Sequence, residues 1–253
     1  MRKPLIAGNW KMHGSKASVA TLLEQIKADS QSFNSIDIAV FPPFVYLAQV
    51  KQALEGTSLH WGAQNVCAYE TGAYTGEVAA SMLQEFACHY ALIGHSERRH
   101  LFGEDLAMTA QKFAIAKIHG LIPILCVGET HEQREKGQTL AVIEQQLAAI
   151  LALPSGIQAL QQAVIAYEPV WAIGTGLTAS VDQAQQVHRA IRGFLAQQDA
   201  DIANKIQILY GGSVKADNSA ALLAMLDIDG VLVGGASLQA KEFLAICQTA
   251  LVK

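Results

Sequence analysis

The chain has 253 residues, with 18 Lys and Arg against 22 Asp and Glu, for a formal charge of −4. Hydrophobic residues make up 51% and charged residues only 16%, which excludes a disordered chain and leaves ample apolar surface for a core without disulfide or metal staples. No apolar run reaches the roughly 18 residues of a membrane span, and the slightly acidic balance, with Arg98-Arg99 as its densest cationic pair, argues against nucleic acid as a partner.

The chain starts basic and then briefly apolar, but Asn9, Trp10 and Lys11 end that stretch too soon for a secretory signal. Eight short β-rich runs follow one another, at residues 5–8, 36–41, 59–63, 90–93, 122–127, 163–167, 206–210 and 230–233. They are apolar almost throughout rather than alternating, as expected of parallel strands buried on both faces. Helix-period segments lie between them. Leu140, Ile143, Leu147, Ile150 and Leu151 share one face. Val181, Ala184, Val187, Ile191, Phe194 and Leu195 share another, behind a capping box formed by Ser180 and Gln183. No linker or composition shift interrupts the series, so residues 1–253 are expected to form one domain. Eight strand-then-helix units match a closed (β/α)8 barrel; periodicity alone also allows an open, doubly wound sheet. The four cysteines, Cys67, Cys88, Cys126 and Cys247, stand singly among apolar neighbours and read as buried free thiols. With no glycosylation sequon, a soluble protein of the reducing cytoplasm is expected.

In a barrel, chemistry sits at the carboxyl ends of the strands. Here those ends are polar or glycine-rich. Glu168 directly follows the sixth run and precedes Pro169, a position suited to proton abstraction once water is excluded; a solvated glutamate paired with a lysine is the plainer reading. His95 follows the fourth run and opens what reads as a short helix, whose N-terminal potential favours a neutral, hydrogen-bonding ring; a structural histidine is the alternative. Lys11, beside Asn9, can offset charge on a substrate oxygen or bind phosphate, or can be an ordinary surface lysine, and Glu97 is a plausible partner for it. Gly211-Gly212-Ser213 and Gly234-Gly235, after the last two strands, suit a phosphate held by backbone N–H groups, against a bland reading as turn glycines. Histidine spacing offers no metal motif. Gly174-Thr175-Gly176-Leu177-Thr178-Ala179, with Asp199 further on, loosely fits a dinucleotide fingerprint, but it stands too far beyond the strand and ahead of the helix cap. Residues 169–179 read better as a lid, with Trp171 as an apolar anchor.

Taken together the motifs resemble the triosephosphate isomerase family, along a (β/α)8 TIM barrel from Ala7-Gly-Asn-Trp-Lys-Met12 to Val233-Gly-Gly-Ala-Ser237. The most specific pieces are Ala166-Tyr-Glu-Pro-Val-Trp-Ala-Ile-Gly-Thr-Gly176 and Ile93-Gly-His-Ser-Glu-Arg-Arg99. Gly62-Ala-Gln-Asn65, Cys126-Val-Gly-Glu129 and Tyr210-Gly-Gly-Ser-Val214 support them. The resemblance implies interconversion of dihydroxyacetone phosphate and D-glyceraldehyde 3-phosphate, a step of glycolysis and gluconeogenesis, through an enediolate and without cofactor or metal. It implies Glu168 as base, His95 as electrophile, and Lys11 and Asn9 as stabilisers of the developing charge, with Ser96 and Glu97 supporting them. Asn9, Lys11, Gly174, Ser213, Gly234 and Gly235 would bind substrate, while Pro169, Trp171, Thr175 and Gly176 belong to the lid. It further implies a homodimer in which the loop at residues 64–77, with Thr75 near its tip, reaches into the partner subunit. A different phosphate-handling barrel enzyme, or a barrel that binds a ligand without catalysis, are the competing readings.

Overall fold

The structure is a computed structural model that describes residues 2–173 and 178–252. Its eight strands are β1 (Leu5–Asn9), β2 (Asp37–Phe41), β3 (His60–Ala63), β4 (Tyr90–Ile93), β5 (Ile122–Val127), β6 (Val164–Tyr167), β7 (Gln207–Tyr210) and β8 (Gly230–Val233). Every one begins and ends within a residue of the run expected from the sequence. Each pairs in parallel with its successor, and β8 returns to β1 through Leu5↔Gly230, Ile6↔Val231, Ala7↔Leu232 and Gly8↔Val233. That last ladder closes the sheet and excludes the open, doubly wound arrangement.

The helices between strands are α1 (Lys16–Ala28), α2 (Leu47–Leu54), α3 (Ala80–Glu85), α4 (Ser96–Leu101), α5 (Leu106–Ile118), α6 (His131–Glu135), α7 (Thr139–Leu151), α8 (Val181–Ala196), α9 (Ala200–Lys205), α10 (Ala216–Leu223) and α11 (Ala240–Ala250). Successive strand residues point to opposite faces, so each strand serves two cores. Leu5, Ala7, Phe41, Leu92, Ile124 and Cys126 pack inside the barrel. Ile6, Ile38, Val40, Ile93 and Val127 pack outward under the helices. Two buried faces explain why the strands read as continuous apolar runs. At the seam only glycine fits at position 230, because a Cβ there would lie 2.0 Å from the Leu5 carbonyl oxygen.

Two details of the helices differ in character. The cap of α8 is the expected capping box, with Gln183 N–H donating to Ser180 Oγ at 3.1 Å and Ser180 N–H to Gln183 Oε1 at 3.0 Å. In α7, however, Leu140 is exposed and Leu151 only half-buried, while Gln146 is buried beside Ile143, Leu147 and Ile150. The reason is a backbone demand. Gln146 accepts from Gly128 N–H at 2.8 Å and donates to Gly128 O at 3.1 Å, pairing a peptide at the end of β5 that the barrel leaves unpaired. All four cysteines are free and buried. Among the described residues no helix is long and apolar enough to cross a membrane.

Candidate active site

The carboxyl ends of the strands open onto a cavity of about 150 Å³ lined by Asn9, Lys11, His95, Glu168, Gly234 and Gly235, together with Ile173, Gly211, Gly212 and Leu232. Drug-sized ligands usually occupy pockets of about 300–1,000 Å³, so this one suits a molecule of a few carbon atoms.

Strand β6 delivers Glu168 to the cavity wall, where it is only 2% exposed. Its backbone N–H donates to Val127 O at 2.7 Å. Its side chain fits because position 211 is glycine: a Cβ there would lie 2.9 Å from Glu168 Cγ. Glu168 Oε2 accepts the Ser96 N–H at 2.9 Å, and Oε1 lies 3.0 Å from His95 Nε2. Burial by itself would raise the pKa of this carboxyl, but His95, the Ser96 N–H and the Lys11 ammonium outweigh it and hold the group below the ordinary carboxylate value.

His95 caps α4, the short helix expected after the fourth strand, and is 5% exposed. Helix N-termini leave N–H groups without intrahelical partners, and here they serve the site. The Ser96 N–H goes to Glu168, and the Glu97 N–H donates to His95 Nδ1 at 3.2 Å. An Nδ1 that accepts a hydrogen bond carries no proton, so the ring's proton sits on Nε2, facing Glu168. Burial disfavours a charged ring, while the Glu168 and Glu97 carboxylates pull the other way and lift its pKa above the ordinary value.

Lys11 has φ +50°, in the left-handed region where a non-glycine residue carries a strain of about 1–3 kcal/mol. Its backbone is held on both sides: Lys11 N–H donates to Asn9 Oδ1 at 3.0 Å, and Lys11 O accepts from Gln64 Nε2 at 2.8 Å. The ammonium pairs with Glu97 Oε1 at 2.6 Å. At the opposite wall Gly234 faces the Lys11 stem, 3.7 Å from Cε to a Cβ built on the glycine, and around Gly235 such a Cβ meets nothing within 4 Å. This leaves open backbone where an anion can approach. Ser213 follows Gly212 but does not line the cavity; it is half-buried and its carbonyl accepts from Asn218 Nδ2 at 3.0 Å.

Over the full length of the chain the comparisons are consistent. A family model described as triosephosphate isomerase matches residues 4–250. The chain is 58% identical over 250 residues to the triosephosphate isomerase of Thiobacillus denitrificans, covering 99% of each chain. It is 55% identical to that of Dechloromonas aromatica and 54% to that of Nitrosococcus oceani, each over 250 residues covering 99% of this chain and 100% of the relative. The chain belongs to the triosephosphate isomerase family.

Within this family member, the first turn of the lid is described and its tip is not: Pro169 and Trp171 are placed, whereas Gly174, Thr175 and Gly176 lie outside the described residues. Trp171, read from the sequence as an apolar anchor, has a polar tie as well. Its Nε1–H donates to Glu129 Oε1 at 3.0 Å, and its ring faces the Arg134 guanidinium at 4.6 Å. Asp199 caps α9 by accepting from Asp201 N–H and Ile202 N–H, a local role unrelated to a nucleotide. Thr75 is exposed in the long loop between β3 and α3. The sequence motifs contained Gln64 and Glu129 but assigned neither a role. Both are polar residues just past a strand end, the same signal that singled out Asn9, His95 and Glu168.

Proposed function

We propose that this chain carries out its family's reaction, the aldose–ketose isomerisation of dihydroxyacetone phosphate and D-glyceraldehyde 3-phosphate, with Glu168 as base and His95 as electrophile. One observation carries the assignment: Glu168 and His95 meet at 3.0 Å in the wall of a small cavity whose far side is the open backbone of Gly234 and Gly235. The phosphate rests on those glycines. The substrate carbonyl then faces His95 Nε2–H and the Lys11 ammonium, with Asn9 alongside.

Glu168 leaves the Ser96 N–H and removes the proton from the carbon beside the carbonyl. The resulting enediolate is stabilised by His95 and Lys11. Once Glu168 has taken the proton its carboxyl is neutral. Its pull on the imidazole is then lost, and burial together with the Glu97 N–H keeps the ring neutral and donating. Glu168 then returns the proton to the adjacent carbon. Triosephosphate isomerases are themselves the reference case for this pairing of a glutamate base with a neutral histidine. Closure of the lid at residues 169–179 excludes water while the enediolate exists, since an exposed enediolate expels phosphate. A different phosphate-handling barrel enzyme working through a Schiff-base lysine finds less support: among the described residues lining the cavity Lys11 is the only lysine, and it is paired with Glu97 at 2.6 Å.

The working form is a homodimer in the cytoplasm. Exposed apolar side chains in segments after the first four strands support an interface there: Met12, Val45, Met82 and Phe102, Met12 being 94% exposed. Thr75 is exposed in the loop after β3.

The test is turnover of purified protein on D-glyceraldehyde 3-phosphate, followed by coupled NADH oxidation. Glu168→Gln is expected to keep the fold and lose at least about 10³-fold in kcat, and Glu168→Asp to lose less, because one methylene withdraws the carboxylate from the carbon acid. Near-normal turnover of Glu168→Gln, or equal rates for Asp and Glu, removes Glu168 from the role of base.

A further inference from the structure

The guanidinium of Arg99 lies outside the set of groups that reach the substrate, yet it ties the backbone that leads into His95 to the end of β5, the strand whose Val127 carbonyl receives the Glu168 N–H. Arg99 is on α4, four residues beyond His95. Its Nε–H donates to the Gly94 carbonyl at 2.7 Å, and its Nη2–H donates to the Cys126 carbonyl at 3.1 Å. Gly94 is the residue between β4 and His95, with φ +66°. Cys126 is the last residue but one of β5, next to Val127, whose carbonyl accepts the Glu168 N–H.

One carbonyl lies just past β4 and the other in the neighbouring β5, and a planar fork with fixed donor directions can bridge them where a lysine ammonium supplies only a point charge. The fit is close. A Cβ built on Gly94 would stand 2.6 Å from Arg99 Nη2 and 2.8 Å from Thr109 Cγ2, so glycine is required both by the backbone angle and by the guanidinium lying against it. The residue is half-buried, so these contacts are shielded from competing water.

The geometry points to Arg99 as a positioning residue for the isomerisation: it holds the Gly94–His95 peptide and the end of β5 in one register, so that His95 Nε2 and the Ser96 N–H meet the Glu168 carboxylate. This rests on the reading of Glu168 and His95 as the reacting pair. Positioning of this kind acts on the chemical step, because a displacement of about 1 Å between reacting groups can cost on the order of 10²-fold in rate. The phosphate subsite at Gly234 and Gly235, across the cavity, is not reached by Arg99.

The test compares Arg99→Lys and Arg99→Ala with the unchanged protein, with rates normalised to folded sites. Expected are a fall in kcat of about 10- to 100-fold, and KM and the inhibition constant of inorganic phosphate both within about twofold. Free guanidinium is expected to restore part of kcat to Arg99→Ala and none to Arg99→Lys. A purely structural role gives a different result: melting temperature falls while kcat per folded site stays unchanged, or kcat and phosphate affinity fall together. Either outcome overturns the inference. Should Arg99→Ala not fold, Arg99→Lys decides alone, and a kcat equal to that of the unchanged protein refutes the fork. Glu168→Gln run in parallel separates the two claims. If it stays active, the base assignment has failed. If it is inactive while both Arg99 variants turn over normally, only the positioning role has failed.

Discussion

At the site, two backbone N–H groups, of Ser96 and Glu97, and a handful of side chains decide protonation. Glu168 is buried, which opposes its charge, but the Ser96 N–H, His95 and Lys11 hold it below the ordinary carboxylate value. A carboxyl whose pKa is depressed by folding stabilises the native state above its unfolded pKa of about 4.3, and that contribution is lost as pH falls through the folded value. The difference in melting temperature between the unchanged protein and Glu168→Gln is therefore expected to change in favour of Glu168→Gln as pH falls below about 4.3. A difference that moves the other way at acid pH would show that Glu168 is not held ionised by its neighbours. Most of these groups were legible as residues. Glu168, His95, Lys11 and Asn9 all stand just beyond apolar runs, where a barrel places its chemistry. Their mutual geometry was not: nothing in the spacing of residues 95 and 168 announces a 3.0 Å approach.

The elements carry the site by their ends. The segment proposed as a lid starts at the carboxyl end of β6, and Trp171 ties that start to Glu129, whose Oε1 also accepts from Arg134 Nη1 and Tyr167 OH, both at 3.2 Å. At its other end it runs into the capped start of α8. Replacing Ser180 by alanine removes the acceptor for the Gln183 N–H and is expected to cost about 1 kcal/mol, or about 2–4 °C in melting temperature for a domain of this size. Calorimetry checks this, and an unchanged melting temperature would mean that the cap contributes nothing. The cap was readable because capping is local, set by residues three apart. The face of α7 was misread at Leu140 and its buried Gln146 was not foreseen, because hydrophobic periodicity has no view of the Gly128 peptide that draws a glutamine inward.

For the whole molecule, closure is the decisive feature. The ladder between β1 and β8 joins residues more than two hundred positions apart, and Gly230 allows it by leaving room for the Leu5 carbonyl. On the other side of the seam Arg2 Nε–H donates to Asp229 Oδ1 at 2.6 Å, and Arg192 bridges Asp227 at 2.8 Å and Asp229 at 2.6 Å. Gly230→Ala forces one of two backbones to shift, and overpacking of this kind costs about 1–3 kcal/mol. A lowered denaturant midpoint is the expected result; an unchanged midpoint would show that the seam can relax freely. The proposed dimer is tested at the same scale. Sedimentation is expected to give two chains, and Thr75→Arg, which places a charge at the loop tip, is expected to shift the balance toward one.

By itself the sequence determined the strands, their number and the residues at their ends. Those features depend on neighbours a few positions away: apolar runs that must be buried on both faces, and polar or glycine residues where the runs stop. The motifs in their order also determined the family, which the comparisons bear out from residue 4 to residue 250. Closure rather than an open sheet, the contact of Glu168 with His95, the strained Lys11 clasped by Asn9 and Gln64, and the fork of Arg99 were decided only in three dimensions. Each joins elements distant along the chain, and the energy of such a contact depends on distance and direction, which a linear order of residues does not contain.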